Sequence, residues 1–166
     1  MNSILQSTLK TLQKSKLLLS NLDDATLANK SIPPYYSSIG GHIRHILDFY
    51  DCILKSKDGE KVDLTARKRN ENVETCCKQA TDYLEQIIVK LLATDRNLED
   101  QVMVKDDLGM GLIEMPYTYA ALLAQANSHT IHHYAIINYI LDRLGIVFSD
   151  GDFGYNPTTP KAANLN

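Results

Sequence analysis

The chain has 166 residues, 44% of them hydrophobic and 22% charged, with a formal net charge of −3. That length fits one domain with an ordinary core. Mild acidity, with only one short basic run at Arg67-Lys68-Arg69, argues against a nucleic-acid partner or an anionic membrane surface, since both need clustered positive charge.

The N-terminal stretch, interrupted by Gln, Lys and Ser, has no apolar core long enough for a signal peptide. No segment approaches the roughly 20 apolar residues of a membrane span. A cytoplasmic location is therefore expected. Cys52, Cys76 and Cys77 make an odd count, which suits free thiols in a reducing compartment.

The periodicity predicts a first helix from about Ser3 to Ala28. Ile4, Leu5, Leu9, Leu12, Leu19 and Leu22 form its apolar face, and Pro33-Pro34 closes the segment. A second helix is expected from about Ser37 to Lys57, with Ser37 or Ser38 as its cap. A charged connection follows to about Lys68.

A third helix is expected from about Asn70 to Ala93, with Val73, Cys77, Ala80, Leu84, Ile87, Ile88 and Leu91 on its buried side. Residues Glu99 to Met115 read as a short hairpin or an ordered loop around Asp107-Leu108-Gly109-Met110-Gly111. Its length makes it a candidate lid or an edge for self-association. A fourth helix runs from about Tyr117 to Leu144, with Gly145 as its stop.

The expected fold is thus all-α, a four-helix bundle over residues 1–145. Residues 146–166 read as an irregular tail, partly docked through Phe148, Phe153 and Tyr155 and frayed at its end.

All five histidines fall on the second and fourth helices. Leu122, Ala126, His129, His133, Ile136 and Ile140 follow one another in steps of three and four, which keeps them on one helix face. His129 and His133 therefore take positions that otherwise hold core apolar residues. At i and i+4 they project side by side, the spacing at which two imidazoles chelate one ion from one helix.

On the second helix His42, His45, Phe49 and Cys52 share a face, so a third ligand could come from His45 or His42. Three protein ligands plus water is the pattern of a catalytic metal site. A lone histidine on an apolar face is more often a core residue bonded to a carbonyl, but a pair on each of two helices points to metal. His132 lies off the seam. Cys52 shares the histidine face and could sit near the ion, though a small core residue is the favoured reading. No Glu-x-x-His occurs, which disfavours a ferritin-like di-iron centre. There is also no His-Glu-x-x-His, Cys-x-x-Cys, Gly-x-Ser-x-Gly or phosphate-binding loop.

Ser38-Ile39-Gly40-Gly41-His42-Ile43-Arg44-His45-Ile46-Leu47-Asp48, followed by His129-Thr130-Ile131-His132-His133, resembles the DinB/YfiT-like superfamily of metal-binding four-helix bundles over residues 1–145. The resemblance implies up-down-down-up topology, frequent dimerisation, and a divalent ion, zinc or nickel, held by His45, His129 and His133. His42 then becomes a neighbour of the ligands or a contact for substrate. Where relatives often continue with Arg-Gly-Gln, this chain has Tyr134-Ala135-Ile136.

Relatives include S-transferases that use low-molecular-weight thiols. The implied function is thiol transfer or hydrolysis of a small molecule. Asp48 would orient an imidazole or act as a base, or else stand as a solvated carboxylate. Arg44, Arg67 and Arg69 would hold a substrate carboxylate or phosphate, with His132 also on the substrate side. A non-catalytic metal-binding or partner-binding bundle is the alternative, and His42 or His132 as a fourth ligand would distinguish it.

Overall fold

The computed structural model describes residues 2–160, and the expected frayed end of the tail lies outside them. Four long helices are present: α1 (Ser3–Ser20), α3 (Ile39–Leu54), α5 (Cys77–Ala93) and α6 (Tyr119–Arg143). Two single-turn helices, α2 (Asp24–Leu27) and α4 (Asn72–Thr75), lie between them. Strands β1 (Val62–Asp63), β2 (Gln101–Asp107) and β3 (Leu112–Thr118) complete the elements.

The all-α expectation is therefore corrected. The described residues form a mixed fold of six helices and a three-stranded sheet of order β1-β2-β3. The hairpin is a full antiparallel ladder, from Gln101 opposite Thr118 to Asp107 opposite Leu112. The charged connection adds β1 parallel to β2, with Val62 opposite Val104. Two residues of strand inside a charged segment leave no usable alternation, so local pattern cannot reveal them.

Helix ends follow cap chemistry more closely than periodicity. The first helix stops at Ser20 instead of Ala28, and Asp23 caps the separate turn α2 by accepting from Thr26 N. The third expected helix is broken at Cys76, whose backbone is extended. The new start at Cys77 donates its N–H to Asp24 Oδ1 over 2.7 Å, so the α2 side chain stands in for a local cap. Ser38 caps α3 by accepting from Gly41 N, which leaves Ser37 to another partner. At the far end of α6, Gly145 (φ 70°) and Ile146 bond back to Asp142 and Leu141, as a Schellman stop requires.

Helix α1 packs on α5 and α6, and α3 packs on the same two. Consecutive long helices thus lie across the diagonal for the first and last crossings, and α2 and the hairpin fill those long connections. Leu12, Leu18, Ile43, Leu47, Leu84, Ile87, Leu122 and Ile137 are among the fully buried residues between them. Residues 146–160 close one side of the bundle. Phe153 is buried there, stacked on Tyr134 with 4.5 Å between ring centroids, while Tyr155 is half exposed. Among the described residues no helix is long and apolar enough to cross a membrane.

Helix α4 touches α3 so closely that a Cβ on Gly40 would stand 2.0 Å from the Glu74 carbonyl oxygen. Only glycine fits at this crossing. Gly40→Ala is expected to lower stability by about 1–3 kcal/mol through overpacking, read as a fall in the thermal midpoint. An unchanged midpoint would show that α4 is free to move away.

Candidate metal centre

Helices α3 and α6 pack directly against each other, and their histidine faces meet. His45 Nε2 stands 2.8 Å from His129 Nε2, and His133 Nε2 stands 3.1 Å from the same atom. The three side chains are half-buried, and one nitrogen from each lies within 4.8 Å of the others. Three histidines this close together could hold a metal ion. Ligand nitrogens about 2.0–2.1 Å from a tetrahedral zinc stand roughly 3.3 Å apart. The observed spacing therefore needs to open only slightly to admit an ion, and the donor set suits it.

Two of the three rings have a partner on the back nitrogen. His133 Nδ1 faces His42 Nδ1 at 2.8 Å, and His42 Nε2 faces Ser37 Oγ at 2.8 Å. His42 therefore sits behind the cluster, at the wrong nitrogen of His133 to be a fourth ligand. His45 Nδ1 accepts from Arg67 Nη1 at 2.8 Å. Phe49 is buried and stacks on His129, with centroids 5.0 Å apart. His132 is exposed, its ring edge-on to His133 at 5.3 Å.

Asp48 has a different place from the one its sequence position suggests. It is only 1% exposed, so the solvated reading is overturned. Its oxygens accept from Arg44 Nη1 (2.8 Å), the Arg69 backbone N–H (3.1 Å) and Tyr83 Oη (3.0 Å). No imidazole is among these partners. Arg44 is held in turn by Glu74 at 2.6 Å. Arg69 is exposed and enters the site through its backbone, in the left-handed region at φ 53°. Cys52 is a buried core residue whose thiol is pushed up by burial, which leaves it protonated and inert.

Burial keeps the imidazoles neutral. It lowers His45 to about 4 and His133 to about 2, with neighbouring histidines adding to the effect. His42 and His129 are lowered by the same cause. Neutral rings are the form that ligates a metal.

Sequence reasoning missed four contributors. Ser37, Glu74 and Tyr83 act through contacts between elements that no local pattern announces. Asp106 lies near enough to His129 to pull its titration upward against the other influences. It continues the inward register of the buried Val102 and Val104 on β2, and that alternation was available as a signal.

Three surface cavities of about 400, 410 and 530 Å³ lie elsewhere. The first is beside Arg96 and Tyr119, the second between α1, α6 and the tail, and the third beside Tyr139 and Val147. None of them is lined by a histidine. Comparison with family models, with curated proteins and with solved structures finds no match to the chain.

The depressed histidines make acid stability a test of the cluster. An unfolded histidine takes up a proton near 6.5, whereas His45 and His133 in the fold stay neutral down to about 4 and about 2. Between those values the unfolded chain binds more protons, so stability falls as pH drops below 6.5 and is unaffected by these groups above it. Metal-free protein is expected to unfold at lower denaturant at pH 5 than at pH 7.5. A His45→Leu/His133→Leu variant should lose much of that difference. Equal sensitivity in parent and variant would show that other groups control it.

Proposed function

We propose that this chain is a divalent-metal protein, with zinc or nickel held by His45, His129 and His133, which performs hydrolysis or thiol transfer on a small molecule. The observation that carries this reading is the convergence of three neutral imidazole nitrogens without a fourth protein ligand among the described residues. Three protein ligands leave a coordination position for water or substrate, the arrangement of catalytic sites. A divalent ion there supplies Lewis acidity, activating a coordinated water or thiol at neutral pH. The likeness to the DinB/YfiT-like superfamily at Ser38 to Asp48 and His129 to His133 supports the same reading, and a low-molecular-weight thiol is the co-substrate it suggests.

The chain's own residues set the conditions for that chemistry. His42 and Ser37 hold the His133 ring from behind. Phe49 shields one face of His129. Three neutral ligands leave the ion's full positive charge in place, and Arg67 adds to it. The open position therefore favours an anionic ligand such as a thiolate or carboxylate. Asp106 and Asp48 are the nearby acidic groups that act on the imidazoles.

A second reading is a non-catalytic metal-binding or sensing bundle. The same three-histidine cluster would serve it.

Metal content of the tag-free protein, beside a His129→Ala/His133→Ala variant, tests the centre itself. About one equivalent in the parent, lost in the variant, is the expected result. Hydrolysis or thiol transfer by the loaded parent, absent from the variant, then supports the enzyme. Metal bound without turnover of any thiol or ester offered would favour the second reading. No metal after zinc or nickel addition would leave the histidines as core residues.

A further inference from the structure

The hydrogen bond between Arg67 and His45 has a consequence for how the centre fills. A guanidinium carries five N–H donors and no acceptor. Arg67 Nη1, 2.8 Å from His45 Nδ1, therefore requires a bare Nδ1. A neutral ring then carries its proton on Nε2, the atom that faces His129. Ligation through Nε2 needs the opposite tautomer, with the proton on Nδ1. In that tautomer two donors would oppose each other across 2.8 Å. Metal-bound histidines ordinarily present the back N–H to a carboxylate, carbonyl or water, and Arg67 is none of these.

His133 is treated differently. Its Nδ1 meets His42 Nδ1, and His42 Nε2 meets the Ser37 hydroxyl. Imidazole and hydroxyl can each donate or accept. This chain of bonds can reverse direction and serve His133 in either tautomer. His45 has no such reversible partner. The guanidinium is also incompletely held, since Arg67 Nε is buried without a hydrogen-bond partner.

We propose that Arg67 is a latch on His45: its bond to Nδ1 and ligation through Nε2 exclude each other, so filling the centre and releasing Arg67 are one coupled step. The proposal rests on the three-histidine reading above. No net proton is lost at His45, because one leaves Nε2 and one arrives at Nδ1 through solvent. His42, which can accept from His133 Nδ1–H as well as donate to Nδ1, is a positioning residue that remains bonded when the centre fills.

The test uses zinc alone as the probe. Zinc affinity is expected to rise about tenfold in Arg67→Met, which keeps length and removes the donors, and also in Arg67→Gln, whose amide oxygen can accept from Nδ1–H. In His42→Phe it should fall about 10–100-fold, the range for loss of such partners. Ring-nitrogen NMR gives a readout that a merely structural or charge effect of Arg67 would not move. His45 should carry its proton on Nε2 in the zinc-free parent and on Nδ1 in the zinc-loaded parent.

A proton already on Nδ1 without zinc would overturn the latch. So would a bare Nδ1 still bonded to Arg67 in the loaded protein, or unchanged or weaker zinc binding in both folded Arg67 variants. Zinc bound by neither parent nor variants would remove the three-histidine reading and the latch together. Zinc bound by the parent with the wrong tautomers would remove the latch alone.

Discussion

Asp48 is the buried charge around which this structure is arranged. A carboxylate removed from water is costly unless it is paired and hydrogen-bonded, and the chain meets that demand from three directions. Arg44 comes from the preceding turn of the same helix, Tyr83 from α5, and the Arg69 backbone from the connection after β1. That connection is thereby strapped along α3. Lys68 pairs with Asp51, Arg67 reaches His45, and Glu74 meets Arg44 beside Gly40. These polar pairs stand beside the buried Leu64 and Val73 of the same segment.

The histidine cluster depends on that arrangement and strains against it. Helix α6 places two imidazoles where its seam would otherwise bury aliphatic side chains, and α3 brings two more. Such rings pack in the interior only by staying neutral. Burial ensures this, and the positive charges of Arg67 and Arg44 add to it at His45. The same arginine that helps to keep His45 neutral holds it in the tautomer that does not ligate. The Arg67 bond in the empty protein and the proposed ligation therefore make opposite demands on one imidazole ring, at Nδ1 and at Nε2.

The sheet brings the remaining side of the site into place. Parallel pairing of β1 with β2 ties the start of the strap to the hairpin, and Leu64 N donates onward to Lys105 O. Inward alternation along β2 then carries Asp106 toward His129. A hairpin that looks like an appendage in sequence is joined through β1 to the segment that positions Arg67.

Some of this was legible in the amino-acid order alone. Periodicity placed the four long helices, cap chemistry marked Ser37 or Ser38 and Gly145, and the i, i+4 spacing put His129 and His133 on one seam. These are properties of a single element, where neighbours along the chain are neighbours in space. The two short helices, the parallel strand β1, the burial of Asp48, the place of His42 behind the cluster and the bond from Arg67 to His45 were decided by tertiary structure. Each is a meeting of residues from separate elements, or an end set by a partner elsewhere, as Asp24 sets the start of α5. Hydrophobic pattern records which face is buried. It does not record what a polar group on that face will find opposite it, because that partner is chosen by how the elements pack.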